Sequence, residues 1–185
     1  MMAEFTVPSG LTSLGDSAFY NCYSLGSAVI PEGITAIEDN TFYSCYSLTS
    51  VSLPETLTTI GKNAFYQCFY LYDINLPDAV TSIGNAAFYD CESLPNVKLP
   101  ARLTRIGTDA FYFCISMLEV SIPQGVTKLY SQTFAGCNNL ISVTIPASVT
   151  SMDKDAFAGC HELRHVLFTG TEAQWNKITL AEGNE

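Results

Sequence analysis

Seven cysteines, Cys22, Cys45, Cys68, Cys91, Cys114, Cys137 and Cys160, recur at intervals of 23 residues. Thiols can ligate a metal, exchange disulfides or act as nucleophiles, and each use has its own spacing. Zinc sites draw on close pairs such as C-x2-C, and none occurs here. Stacked repeats would hold the seven side chains parallel in one column, not aimed at one another as a disulfide requires. A phenylalanine precedes each cysteine by three: Phe19, Phe42, Phe65, Phe88, Phe111, Phe134 and Phe157. Beside a buried phenyl ring, cysteine serves as a small apolar filler. The column therefore reads as a reduced structural ladder, and its odd count agrees. His161 and His165 are four apart, a metal-binding spacing on a helix, but here they bridge a turn and a strand, and no carboxylate pattern completes a site. Asp16, Asp39, Asp109 and Asp155 fall at turn positions and read as caps of short helical turns. No G-x-S-x-G, H-E-x-x-H, P-loop or dinucleotide fingerprint is present. No catalytic, metal or cofactor-binding residue is assigned, and a protein that is not an enzyme is expected.

The same period organises the whole chain. Seven of the eight prolines (Pro8, Pro31, Pro54, Pro77, Pro100, Pro123, Pro146) and a threonine column from Thr12 to Thr150 keep the 23-residue step without insertion or deletion. Within one unit, Val51-Ser52-Leu53 alternates as a strand with one buried side. Pro54 ends it, having no amide for a continuing ladder. Leu57 and Ile60 form a second short apolar segment, closed by Gly61. Ala64, Phe65 and Cys68, with Leu71 three further on, predict a single helical or 3₁₀ turn with its apolar side inward. About seven inward positions per unit can be buried only by stacking unit on unit. Eight strand segments are expected, centred on Thr6, Val29, Ser52, Asn75, Lys98, Ser121, Thr144 and Leu167. Seven steps of about 4.8 Å give a rod or shallow arc about 34 Å long. The expected fold is an α/β solenoid of 23-residue leucine-rich units, a parallel strand layer on one side and short helical or 3₁₀ turns opposite. Residues 1–168 form the solenoid, about seven repeats with a partial first unit, and residues 169–185 a C-terminal cap in which Thr171 is the N-cap and Trp175 and Ile178 cover the last turn.

This pattern resembles the BspA-like (Treponema-type) leucine-rich repeat family, whose unit reads approximately L-x-x-I-x-L-P-x-x-L-T-x-I-G-x-x-A-F-x-x-C-x-x-L, and the likeness extends over residues 2–168. The resemblance implies a surface or secreted binding role and carries over no catalytic residue. Hydrophobic residues make up 48% of the chain and charged ones only 14%, with a net charge of -10. An acidic surface repels phosphate backbones and anionic leaflets, so neither nucleic acid nor membrane surface is an expected partner. No run approaches the roughly 18 apolar residues of a membrane span. The first residues lack a basic segment followed by an apolar run, so no signal peptide is expected within this chain and its compartment stays open. At the other margin of the repeat, Met2 falls in the leucine column while Phe5 and Val7 take the inward strand positions. The array thus opens in mid-unit, the mark of a longer array or of an edge for self-association.

Two outward surfaces could recognise a partner. On the strand face the columns vary while the inward ones do not, and Ser50, Ser52, Asp73, Asn75, Asn96, Lys98, Glu119 and Ser121 are the candidates. The second surface is an aromatic strip: Tyr20, Tyr43, Tyr66, Tyr89 and Tyr112 follow the repeat phenylalanines, and Tyr23, Tyr46 and Phe69 follow the cysteines. Pointing away from Phe and Cys, these residues either make a contact strip for a partner or a second copy, or pack flat on one another as a structural ladder. A protein-interaction or adhesion module is the leading expectation. A carbohydrate-binding module and an intracellular interaction protein are the alternatives.

Overall fold

A computed structural model describes residues 3–184, in which the 23-residue period becomes one coil of a solenoid. The coils run 3–25, 26–48, 49–71, 72–94, 95–117, 118–140 and 141–163, with a last partial coil from 164. Met2 lies outside the described residues. Each coil has three sides. Strands of two to five residues (Ala3–Thr6, Leu25–Val29, Ser50–Ser52, Asp73–Ile74, Glu119–Ser121, Ser142–Ile145, His165–Phe168) make the first, the long-strand side, and every pairing between them is parallel. Their inward residues Ala28, Val51, Ile74, Val120 and Val143 are buried. Two-residue strands such as Thr59–Ile60 and Ser82–Ile83 make the second side, again parallel and one period apart. The eighth expected long strand, around Lys98, does not form; the reason is Pro95, the one proline outside the periodic column.

The third side is not helical as expected. It is a stack of turns. Two residues per coil, four apart, take left-handed backbone angles, for example Asn40 and Ser44 (both φ 55°) or Asn63 and Gln67 (φ 53° and 57°). Left-handed residues cannot propagate a right-handed helix. They swing alternate amides out of the coil: Asn40, Phe42 and Ser44 donate to the carbonyls of Lys62, Ala64 and Tyr66 in the next coil at 2.7–2.8 Å. The amides between them close local turns, Tyr43 onto Asn40 O and Cys45 onto Phe42 O. The acidic turn residues are accordingly not helix caps: Asp39 Oδ1 accepts from the amide of Lys62, one coil away, at 2.6 Å.

The core inside these three sides is a set of side-chain columns. Phe42, Phe65, Phe88, Phe111 and Phe134 are wholly buried, and the phenylalanine rings from Phe19 to Phe157 stack at 5.0–5.5 Å, nearly parallel. At the C-terminal end Thr171 caps the helix Glu172–Trp175, its hydroxyl accepting from the amide of Gln174 while the Gln174 side chain accepts from the amide of Thr171. Trp175 and Ile178 pack on the core, and Thr179–Leu180 adds a strand beside Ser151–Met152.

Candidate interaction surface

The cysteines do more than fill space. Each thiol from Cys45 to Cys160 donates to the carbonyl of the phenylalanine in the preceding coil, Cys45 to Phe19, Cys91 to Phe65, Cys160 to Phe134, all at 3.1–3.2 Å. A thiol is a weak donor, and here it ties one coil to the next from inside the core. Burial pushes the Cys45 thiol up to about 12 and the Cys160 thiol up to about 11. The thiolate needed for nucleophilic or metal chemistry is thereby disfavoured. Among the described residues no group of three or more His, Cys, Asp or Glu could hold a metal ion.

The tyrosine strip is a second stack. Tyr20, Tyr43, Tyr66, Tyr89 and Tyr112 lie ring on ring at 4.6–4.8 Å with interplanar angles of 2–12°. A shorter stack joins Tyr23, Tyr46 and Phe69 at 5.0 and 5.2 Å. Ring faces inside the strip are used up, which leaves edges and hydroxyls toward solvent, and Tyr20 and Tyr23 at its N-terminal end keep one face open. Burial, then the neighbouring phenols Tyr66 and Tyr112, then the Asp90 and Asp109 carboxylates push the Tyr89 phenol up to about 12. Tyr43 and Tyr66 are raised as well, burial again the main cause.

These shifts make stability pH-dependent in a defined direction. Unfolded, a thiol ionises near about 8.5 and a phenol near about 10. The folded chain holds both protonated to higher pH, so unfolding releases protons in alkali. Stability is fully present below about pH 8.5 and is lost as pH rises toward about 12. Denaturant titrations are expected to give the same midpoint at neutral pH and at about pH 8, and a clearly lower one at about pH 11. An unchanged midpoint at the alkaline end would show that neither column is sealed from ionisation.

On the strand face, Ser52, Asp73, Asn75, Asn96, Lys98, Glu119 and Ser121 are exposed and Ser50 half-buried. Ser50, Ser52, Asp73, Asn75, Asn96 and Lys98 line one shallow groove of about 620 Å³, and the carboxylates of Glu4, Glu55, Asp73 and Asp78 border it. One of these candidates is already committed: Asn96 Oδ1 accepts the amides of Leu118 and Glu119 at 2.8 and 3.0 Å. The two candidate surfaces are thus unequal. The strand face keeps free polar groups, and the tyrosine strip spends its area on itself.

Beside the strand face lies an exposed apolar row that the sequence reading missed. Tyr72 is 58% exposed, Leu118 47% and Ile141 41%, with exposed Pro95 between the first two and Tyr70 (62%) next to Tyr72. The four row positions are successive members of one column, in coils 72–94, 95–117, 118–140 and 141–163. Alternation counted back from inward Ile74 puts Tyr72 on the buried side, so the pattern hides it. The chain turns there instead: the amides of Tyr72 and Asp73 both reach Thr49 O at 3.1 Å, which sends the Tyr72 ring outward. Asp73, Glu92 and Glu119 flank the row, all exposed.

The family model for BspA-type leucine-rich repeat regions matches six copies over residues 1–91 and 58–179. The chain belongs to the BspA-type leucine-rich repeat family. Three solved structures are similar: a leucine-rich repeat protein of Treponema pallidum (31% identity, 87% of this chain and 78% of that one, TM-score 0.80), one of Bacteroides ovatus (29%, 97% and 51%, 0.75), and a leucine-rich cell surface protein of Faecalibacterium prausnitzii (26%, 88% and 65%, 0.52). The chain spans about half the length of the Bacteroides protein. No curated protein matches. Within this BspA-type array the F-x-G-C form appears only at Phe134-Ala135-Gly136-Cys137 and Phe157-Ala158-Gly159-Cys160. The structure explains the change. The Phe113 ring leans on Tyr112 (4.8 Å) and covers Gly136, where an added Cβ would sit 2.5 Å from the ring. Phe113 therefore closes the tyrosine stack at the coil where glycine returns. Among the described residues no helix is long and apolar enough to cross a membrane.

Proposed function

We propose that this BspA-type array is a non-enzymatic protein-recognition module of adhesion type, docking an extended partner segment along the Tyr72–Ile141 row and the adjoining strand face. The observation that carries the reading is the row itself. Contiguous exposed apolar residues on a folded chain mark contact sites, and tyrosine and large aliphatic groups ringed by polar ones have the make-up of an interface core. The carboxylates beside the row and around the groove favour a partner segment that interleaves basic and apolar side chains. A cell-surface setting draws support from the Faecalibacterium relative's description as a cell surface protein. Two copies of a chain of net charge -10 repel, which argues against self-association along the same face.

The test is a displayed peptide library selected on the chain, followed by binding of the enriched peptides to a Tyr72→Ser, Leu118→Ser, Ile141→Ser triple variant. Enriched sequences are expected to carry Lys or Arg among apolar residues and to bind the variant at least about tenfold more weakly, since losing hot-spot side chains costs above about 1 kcal/mol each. The side chains are exposed, so the melting temperature stays the same. Equal binding to the variant sinks the reading. A glycan array addresses the carbohydrate alternative; sugars stack on open aromatic faces, and the inner rings of the tyrosine strip have theirs covered, which leaves Tyr70 and Tyr72, besides the end rings Tyr20 and Tyr23, as the open rings a sugar would use. The intracellular alternative predicts a gene with no leader or anchor upstream of residue 1.

A further inference from the structure

Consecutive coils are tied together along three lines: long strands, short strands and the turn stack. Both strand lines are interrupted at the seam between coils 95–117 and 118–140, the short-strand line there alone and the long-strand line on the 72–94 side of coil 95–117 as well.

On the long-strand side the culprit is Pro95. In regular coils the residue at this position donates to the preceding coil and its carbonyl takes two amides from the next, as when Ile141 and Ser142 donate to Leu118 O at 2.8 and 3.2 Å. Pro95 has no N–H to give to coil 72–94, and the strand of its own coil is lost with that bond. Residues 96–98 form no strand, and the sheet order breaks into one group ending at Asp73–Ile74 and another beginning at Glu119–Ser121. The two amides of the next coil go to the Asn96 side chain in place of a backbone carbonyl.

On the short-strand side the culprit is Tyr130. Gly61, Gly84 and Gly107 occupy this column and donate to Ile37, Ile60 and Ile83 O at 2.7–3.0 Å. A Cβ on any of the three would come within 2.5–2.8 Å of the preceding coil, against backbone atoms in each case. Tyr130 is the first residue after these glycines to bring a side chain to the column, and its amide makes no bond to the Ile106 carbonyl, whereas Asp153, one coil on, carries a Cβ and keeps the bond. Lys128–Leu129 then pairs with Ser151–Met152 but not with Arg105–Ile106, and the short-strand sheet splits there. Beyond the seam the line resumes, Asp153 donating to Leu129 O at 2.9 Å.

The third line runs through unbroken. Asp109, Phe111 and Phe113 donate to Ser131, Thr133 and Ala135 O at 2.9–3.1 Å, and the Phe111 and Phe134 rings keep their 5.4 Å stack. From this asymmetry we infer that the seam is a one-sided hinge. Residues 3–117 and 118–184 rock about the turn stack, and the two strand sides open and close opposite it. The Arg105 guanidinium, anchored on its own side by donating to Asn85 Oδ1 at 3.2 Å, lies 4.6 Å over the Tyr130 ring, and this cation–π contact across the seam latches the closed form. The Tyr72–Ile141 row crosses the seam, so the motion changes its curvature; the hinge itself does not depend on what the row binds.

Hydrogen exchange resolved to single amides tests the inference. The amides of Leu99, Thr127 and Tyr130 should exchange at least about tenfold faster than their column equivalents Ile122, Thr150 and Asp153, while Asp109, Phe111 and Phe113 stay slow. In the Pro95→Thr, Tyr130→Gly double variant, which restores the donor and the glycine, the fast amides should slow to match. Spin labels carried on non-cysteine residues at Ser52 and Ser121 should report a broader distance distribution than a pair at Lys62 and Lys154 beside the turn stack. Equal exchange across the seam, or one narrow distribution at both pairs, overturns the hinge.

Discussion

Replacing Tyr43, Tyr66 and Tyr89 together by serine is expected to lower the free energy of unfolding by about 2–6 kcal/mol. The three positions take part in all four contacts of the five-ring stack, at 4.6–4.8 Å, and an aromatic pair is worth about 0.5–1.5 kcal/mol beyond its buried area. Against a total stability of about 5–15 kcal/mol for a domain, that loss is a large share. It should appear as a lower denaturation midpoint with far-ultraviolet dichroism unchanged at low temperature. Peptide binding by the folded fraction should survive, because the docking row is elsewhere. A loss under about 0.5 kcal/mol, as for an ordinary surface change, would return the strip to the role of a free contact surface.

Phe88→Ala is expected to cost about 3–5 kcal/mol, the range for a fully buried phenylalanine. Phe88 has no exposed surface and is stacked on both sides, 5.1 Å from Phe65 and 5.3 Å from Phe111. In a solenoid, stability is close to a sum of units and nearest-neighbour interfaces. One deletion in the middle weakens two interfaces at once. Phe157→Ala should cost clearly less, because Phe157 is only partly buried and stacks on a single ring, that of Phe134 at 5.5 Å. Equal losses at the two positions, measured by denaturant titration, would contradict nearest-neighbour stacking as the source of stability.

These two columns show how far the sequence could be read. Period, coil count and parallel stacking follow from the Cys, Phe, Pro and Thr columns because one residue choice repeated seven times leaves one register. The turn side was misjudged for a specific reason. Ala64, Phe65 and Cys68 fit an i, i+1, i+4 face equally well in a helix and in successive turns, and only the left-handed residues Asn63 and Gln67 decide between them. Asparagine tolerates that conformation and glutamine carries no such signal. Pro95 was visible as the proline out of step, yet its consequence, a missing strand and a side-chain substitute from Asn96, depends on geometry. Strand-face candidates could be named from their variability. The apolar row beside them could not, since alternation counted back from Ile74 places Tyr72 on the buried side.

Recognition through the Tyr72–Ile141 row is the central claim, and amide chemical-shift mapping tests it most directly. An enriched basic and apolar peptide is titrated into the labelled chain and the shifted amides are located. The largest shifts should fall on Tyr72, Asp73, Leu118, Glu119 and Ile141, with smaller ones along Ser52, Asn75 and Ser121. Saturable binding that leaves this row unmoved and shifts the Tyr20–Tyr112 strip or the solenoid ends instead would contradict the account.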